Sequence, residues 1–152
     1  MEPRRVVSPR RLWLGGLVAA ATLWVLTGLV NALLGAEFQL WAAGMGDKIH
    51  PPAPAVALGL WSLMSLLYGW VGVWLATWLP GPRIRVALTA GLWLWVVTKL
   101  ATAFDLLALG VLPPALVGGE LLGSLGALVL STLAGTWMAP GRGRSSPSGE
   151  RS

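Results

Sequence analysis

Four apolar stretches, each long enough to cross a lipid bilayer, most limit what this chain can fold into. They cover residues 12–34, 55–79, 84–110 and 115–138. A helix rises about 1.5 Å per residue, so about 20 apolar residues span the hydrocarbon core. In a chain of 152 residues, the loops between these stretches are too short to form a second core. The sequence therefore predicts an all-α membrane protein, a four-transmembrane-helix up-down bundle.

Basic residues alternate between the loops and predict the orientation of the bundle. The side that carries the termini holds nine of the eleven Lys and Arg: Arg4, Arg5, Arg10, Arg11, Arg83, Arg85, Arg142, Arg144 and Arg151. The opposite loops carry only Lys48. Because positive residues are retained in the cytoplasm, we expect both termini inside, in a bacterial inner (plasma) membrane. No aromatic residues interleave with these arginines, so no binding of nucleic acid is expected.

The segments outside the apolar stretches have separate expected roles. Residues 1–11 are predicted to form a basic cytoplasmic arm, residues 12–138 the membrane domain, and residues 139–152 a disordered cytoplasmic tail. In the first loop, a short helix lying in the membrane plane is predicted from Phe38, Leu40, Trp41 and Met45. The tryptophans predicted to anchor the spans at the interfaces are Trp13, Trp41, Trp78 and Trp137.

Five further tryptophans lie deeper in the spans: Trp24, Trp70, Trp74, Trp93 and Trp95. The simpler interpretation is that they fill space and contact lipid. The alternative is a stacking surface for a flat ligand such as a pigment or quinone. No cofactor is predicted from these residues alone.

Small side chains mark the predicted contact faces. In the fourth span they recur every four residues, at Gly119, Gly123, Ala127, Ser131 and Gly135, which lets another helix approach closely. Internal packing is the default expectation, and a second copy of the chain is the alternative. The predicted face of the third span is Ala87, Gly91, Leu94, Thr98, Ala101 and Asp105. The second span offers Trp61, Ser65, Tyr68, Gly72 and Ala76.

Four polar side chains from three spans fall in one layer of the membrane domain. Counting from the span midpoints places Asn31, Asp105 and Glu120 on the order of 10 Å outward of centre, with Lys99 within reach. An unpaired charge there costs roughly 2.5–3.5 kcal/mol, so pairing is expected. Lys99–Glu120 is the favoured pair, because Lys99 and Asp105 point about 120° apart on a regular helix.

This polar layer has a functional and a structural interpretation. In the functional one, Glu120 is a proton or cation site in an outward-opening pocket and Lys99 is its charge partner. In the structural one, the charges form a buried ion pair and Asn31 makes a hydrogen bond across helices that sets their register.

Residue types that the chain lacks exclude several kinds of chemistry. Cysteine is absent and His50 is the single histidine, which excludes disulfides and paired-histidine haem ligation and makes a metal site unexpected. Serines in the spans have no histidine near them, so no nucleophile–base pair is visible. The sequence therefore predicts a protein that is not an enzyme.

The segment VWLATWLPGPRIRVALTAGLWLW resembles a group of small bacterial four-span proteins. These share a Gly-Pro-basic turn before the third span, an Asn late in the first span, as at Asn31, and a Glu early in the fourth, as at Glu120. The group has no established activity, so the resemblance implies architecture alone. A four-span chain rich in Trp and Gly with one membrane Glu is also similar to small multidrug-resistance exporters. Those place the Glu in the first span, where this chain has only Asn31, and this departure argues against assigning it to the exporters.

Two functions remain in view from the sequence. The favoured one is a non-enzymatic accessory subunit or scaffold of the membrane, whose partners are the lipid bilayer and another membrane protein or a second copy. The alternative is a small proton-coupled transporter that uses Glu120.

Overall fold

The computed structural model describes residues 8–48 and 53–139 as four long helices joined by short connections. The helices are α1 (Pro9–Met45), α2 (Pro54–Trp78), α3 (Arg83–Ala108) and α4 (Pro114–Met138). Each is long and apolar enough to cross a membrane. The predicted all-α four-helix fold is therefore confirmed, and the protein is a multi-pass membrane protein. The basic arm before Ser8, His50 and the tail beyond Ala139 lie outside the described residues.

Proline and glycine set the ends of the helices. Proline occupies the first turn of α1, α2 and α4, where its missing N–H leaves no helical hydrogen bond unmade. Gly46, Gly81 and Gly110 lie in the three connections and have φ values of 53°, 134° and 63°. Such positive values favour glycine because it has no Cβ. The short turns at Gly81 and Gly110 make the helices that they join antiparallel neighbours.

The first helix is longer than its apolar stretch. α1 has 37 residues, which is about 55 Å and exceeds the thickness of a bilayer with its headgroups. The separate in-plane helix expected in the first loop is therefore wrong, because residues 38–45 continue α1. No proline interrupts the chain there, and Phe38 packs edge to face on Trp41 one turn away, with ring centroids 5.8 Å apart.

The fourth helix is the centre of the bundle. α4 packs against α1, α2 and α3, whereas α1 and α3 lie apart in the described part of the chain. Its strip of small residues faces α1. A Cβ at Gly135 would come under 3.0 Å from the carbonyl oxygen of Gly15, and one at Gly123 would collide with Val30. The small strip therefore packs inside the bundle, with α1 as its partner.

The two ends of the bundle are closed differently. We call the end with Ser8, the α2–α3 turn and Ala139 the terminal end, and the opposite end the loop end. At the terminal end, α2 and α3 meet through buried Ala76, Val86 and Ala90. The polar layer lies in the other half of the bundle, toward the loop end. There α2 and α3 are further from the turn that joins them.

A π-helical segment, Val96–Leu100, interrupts the α-helical hydrogen bonding of α3. Before it, Ala87, Gly91 and Leu94 are buried as the sequence predicts. Beyond it the prediction is wrong: Ala101 and Asp105 are exposed, and Ala103 is buried instead. A π turn bonds residues five apart rather than four, so it rotates the following residues relative to a regular helix. Lys99, five residues after Leu94, therefore follows it on the inward face of α3.

Candidate functional site

An ion pair between α3 and α4 forms the centre of the site. Lys99 Nζ lies 3.1 Å from Glu120 Oε1, which is the pairing favoured by the sequence. It is the only ion pair in the described part of the chain. The Lys99 and Glu120 side chains keep 29% and 36% of their surface exposed, so packing does not enclose them.

The other two predicted members of the polar layer have different positions. Asn31 is on α1 at the height of the ion pair, because its neighbour Val30 packs against Gly123 of α4. The cross-helix hydrogen bond expected of Asn31 is absent from the described residues, and its side chain lines a cavity instead. Asp105 is exposed on α3 and lines neither of the cavities beside the pair. Its predicted place in the cluster is wrong, because the π turn rotates it outward.

Two cavities share the ion pair as part of their walls. The α1-side cavity, about 80 Å³, lies chiefly among α1, α2 and α4 and is lined by Thr27, Asn31, Trp61 and Ser65. The α3-side cavity, about 270 Å³, lies among α2, α3 and α4 and is lined by Thr98, Thr102, Ala103 and Leu106. Both are also lined by Met64, Tyr68, Lys99, Glu120 and Ser124.

Hydroxyl groups on the α3-side cavity already have partners. Thr98 Oγ1 donates to the carbonyl oxygen of Leu94 at 2.6 Å, and Thr102 Oγ1 donates to that of Thr98 at 2.9 Å. Ser124 Oγ donates to the carbonyl oxygen of Leu121 at 3.1 Å. These bonds are the usual way in which Ser and Thr are accommodated within a helix. The polar groups of this cavity that retain free donors are Lys99 and Tyr68.

Polar groups on the α1-side cavity lack such partners. The side chains of Thr27, Asn31 and Ser65 make no hydrogen bond within the described residues, although Ser65 is only 4% exposed. Trp61 Nε1 is buried with no partner either. Trp95 shows the contrast, since its Nε1 donates to the carbonyl oxygen of Leu121 at 3.0 Å and contacts Ser124 Oγ. Buried polar groups are nearly always satisfied in proteins, so Ser65 and Trp61 are exceptions, whereas Thr27 is half-buried and Asn31 is exposed.

Most of the tryptophans lie on the surface of the bundle. The predicted anchors Trp13, Trp78 and Trp137 are exposed near the terminal end, and Trp41 is half-buried on the distal part of α1. Among the deeper tryptophans, Trp95 packs inside while these four remain exposed: Trp24, Trp70, Trp74 and Trp93. Trp24 stacks on Trp61 with ring centroids 5.6 Å apart. This arrangement fits the interpretation of packing and lipid contact.

Sequence reasoning missed Thr27 and the cavity roles of Ser65, Trp61 and Tyr68. The signal was present for the last three, because all lie on the predicted contact face of α2. For Thr27, the signal was its spacing four residues before Asn31, which places both on one face of α1. No group of three His, Cys, Asp or Glu side chains lies together in the described part of the chain.

In comparisons with known proteins, no family model, no curated protein and no solved structure matches this chain. The function is therefore argued from the geometry of the site.

Proposed function

We propose that this protein is a proton-coupled carrier of a small organic anion, with Glu120 as the proton site and Lys99 as the anion site. The observation that carries the proposal is that both charged side chains line both cavities. A structural ion pair is stabilised by close packing and by hydrogen bonds that satisfy its remaining atoms. Here Glu120 Oε2 and two of the three Lys99 N–H groups have no protein partner in the described part of the chain.

Charge balance suggests how the two sites are coupled. When Glu120 takes up a proton, the Lys99 ammonium loses its counter-charge in a membrane interior where an unpaired charge is costly. An organic anion in the α3-side cavity would restore neutrality by binding Lys99, with Tyr68 as a further donor. One proton and one anion then cross together without net charge. Release of the proton restores the ion pair and displaces the anion.

The α3-side cavity has a suitable size and lining for such an anion. Its volume of about 270 Å³ exceeds the roughly 150 Å³ of an apolar cavity that accepts benzene. Ala103, Leu106, Val117 and Met64 provide an apolar wall opposite the charged groups. The ligand would therefore combine one anionic group with a compact apolar body.

The proposed orientation places the site in the outer half of a bacterial inner membrane. Arg10, Arg11, Arg83 and Arg85 lie at the terminal end, which the positive-inside rule assigns to the cytoplasm. The loop end then faces outward, and ligand reaches Lys99 from that side. The chemistry needs no covalent step, so the protein is proposed to be a carrier and not an enzyme.

A second candidate is the accessory subunit or scaffold favoured by the sequence. The observation in its favour is the distal part of α1, where Leu33 and Leu40 are about three-quarters exposed and the helix outruns the bilayer. Such a surface could contact a partner protein. Native mass spectrometry of the protein extracted gently from its membrane tests this, because a retained protein partner would favour the subunit.

Transport in proteoliposomes tests the carrier. A panel of sulfonates from methanesulfonate to hexanesulfonate, with benzenesulfonate, is applied outside vesicles that contain a pH-sensitive dye. Sulfonates stay ionised, so passive permeation of a neutral acid does not acidify the lumen. We expect at least one member to acidify wild-type vesicles, and Glu120→Gln to abolish the signal.

Asp105→Asn is the matched control, because Asp105 is a carboxylate on α3, the helix that carries Lys99, and lies outside both cavities. It should transport as well as the wild type. Acidification equal to that of protein-free vesicles for every sulfonate would contradict the proposal.

A further inference from the structure

We infer that the α1-side cavity binds a small cluster of water molecules that carries protons to Glu120. The water site is argued from geometry alone, and its proton-carrying role rests on the proposed function. The two cavities then have separate tasks: water occupies the α1 side of the ion pair, and the organic anion occupies the α3 side.

The α1-side cavity is lined in part by polar side chains that have no hydrogen-bond partners among the described residues. Thr27, Asn31, Ser65 and Tyr68 each offer both a donor and an acceptor, and none of them is bonded within the described residues. Ser65 is buried, Thr27 and Tyr68 are half-buried and Asn31 is exposed, and a polar group that is removed from water without a partner costs free energy. Water satisfies mixed donors and acceptors in any geometry, whereas an apolar ligand satisfies none of them.

Ser65 shows that this polarity is directed into the cavity. The residue is only 4% exposed, yet Ser65 Oγ, which has no hydrogen-bond partner, is not among the fully enclosed unpartnered atoms of the described residues and so keeps some accessible surface. Its remaining accessible surface therefore faces the cavity that it lines. A serine elsewhere in the bundle behaves differently: Ser131 is 1% exposed and Ser131 Oγ donates to the carbonyl oxygen of Leu128 at 3.0 Å.

The volume of the α1-side cavity also fits water. Each water molecule needs on the order of 10–15 Å³ of cavity volume, so the α1-side cavity of about 80 Å³ holds several water molecules. The same volume is about half that of the cavity that accepts benzene, so it suits water better than a ring-sized ligand. The water cluster would lie against Glu120, which is part of the cavity wall.

The proton step involves a small set of groups. A hydronium ion of the cluster gives its proton to the Glu120 carboxylate, which leaves a neutral water and a neutral carboxylic acid. The charged or titratable groups that face Glu120 are Lys99 from α3 and Tyr68 from α2, and α1 contributes the uncharged Asn31. Lys99 is thus the one charge that responds when Glu120 is neutralised.

Thiol exchange in D2O tests the water site with water itself as the probe. The chain has no cysteine, so one introduced thiol gives the only S–H stretching band in the infrared spectrum. Ser65→Cys and Ser131→Cys are prepared as full-length protein in nanodiscs and transferred to D2O. We expect the S–H band of Ser65→Cys to be lost in the first spectrum and that of Ser131→Cys to persist through many. Equal, slow exchange of both thiols would overturn the water site.

Thr27→Cys provides a second probe of the same cavity if Ser65→Cys is not monodisperse in gel filtration. Thr27 lies on α1, across the cavity from Ser65, and its thiol should also exchange rapidly. Failure of this inference is distinguishable from failure of the carrier. Rapid exchange without sulfonate-driven acidification would leave the water site standing and contradict the carrier. Sulfonate-driven acidification with slow thiol exchange at both positions would support the carrier and contradict the water site.

Discussion

The two halves of the bundle are built from the same apolar helices but are packed in opposite ways. In the terminal half, Gly15 and Gly135 bring two backbones together, and Val73 is completely buried beside them. In the loop half, larger side chains surround two cavities and leave polar groups without partners. Close packing therefore holds one half together, and the other half retains the space and polarity that a ligand requires.

The difference follows from what the small residues of α4 face in each half. Gly135 lies against the backbone of Gly15, whereas Gly119 and Gly123 face the larger side chains of Leu34 and Val30. Helix association in a membrane depends on dispersion contacts, which small residues permit by letting backbones approach. The α2–α3 turn joins its helices at the terminal end, where Ala76 and Ala90 complete the contact. Further along, Met64 and Tyr68 of α2 face Lys99 of α3 across a cavity.

The largest expected effect is from filling the contact in the terminal half. In Gly135→Ala, the new Cβ would meet Val73, the Gly15 carbonyl oxygen and Ala19, all under 3.0 Å away. We expect a loss of about 3 kcal/mol in the free energy of unfolding, at the upper end of overpacking costs. Gly126→Ala is the control on the same helix, since its Cβ meets nothing within 4 Å. Unfolding in a denaturing detergent measures both, and equal stabilities would show that the terminal half is not closely packed.

Breaking the ion pair in the loop half should have the next largest effect. Glu120→Leu leaves Lys99 without a counter-charge, which costs roughly 2.5–3.5 kcal/mol at full burial. Because Lys99 borders two cavities that can admit water, we expect about 2 kcal/mol. The double variant Glu120→Leu with Lys99→Leu should recover most of this loss in the same unfolding assay. An equal loss in the single and double variants would mean that the two charges do not interact.

Two indole N–H groups allow a smaller and sharper comparison within the loop half. Trp95→Phe removes a donor bonded to the carbonyl oxygen of Leu121 and should cost about 1 kcal/mol. Trp61→Phe removes a donor without a protein partner and should change stability by less than that. Thermal unfolding in detergent compares the two variants. A larger loss for Trp61→Phe than for Trp95→Phe would contradict the claim that Trp95 Nε1 has a stabilising hydrogen bond and Trp61 Nε1 does not.

The smallest effect is expected from the carboxylate outside the site. Asp105→Asn should leave the free energy of unfolding within about 0.5 kcal/mol of wild type, as is usual for an exposed substitution. Chemical denaturation measured by tryptophan fluorescence checks this. A loss as large as that of Glu120→Leu would place Asp105 in the polar cluster after all.

Much of the fold could be predicted because lipid imposes simple rules. The four spans follow from hydropathy, and the small strip from Gly119 to Gly135 identifies a helix contact. The pairing of Lys99 with Glu120 follows from the cost of an unpaired charge and from their similar depth. None of these inferences depends on the detailed path of the backbone.

The inward face of α3 and the length of α1 could not be predicted, because they depend on local departures from regular helices. A regular α3 places Ala101 and Asp105 inward, whereas the π segment Val96–Leu100 turns them outward and brings in Ala103. No proline or glycine within that segment announces the change. The continuation of α1 to Met45 has a related reason, since the apolar residues of 38–45 fit a separate in-plane helix as well as they fit a continuation of α1.

The most direct test of the carrier is whether Glu120 takes up a proton while the protein stays folded. Infrared spectra of the protein in nanodiscs, recorded against pH, detect the carbonyl stretch of a protonated carboxyl group. We predict a protonated-carboxyl band in the folded protein that is missing in Glu120→Gln and that persists in Asp105→Asn. A Glu120 that stays ionised until the protein unfolds would show that its pair with Lys99 is structural, and would contradict the proposed carrier.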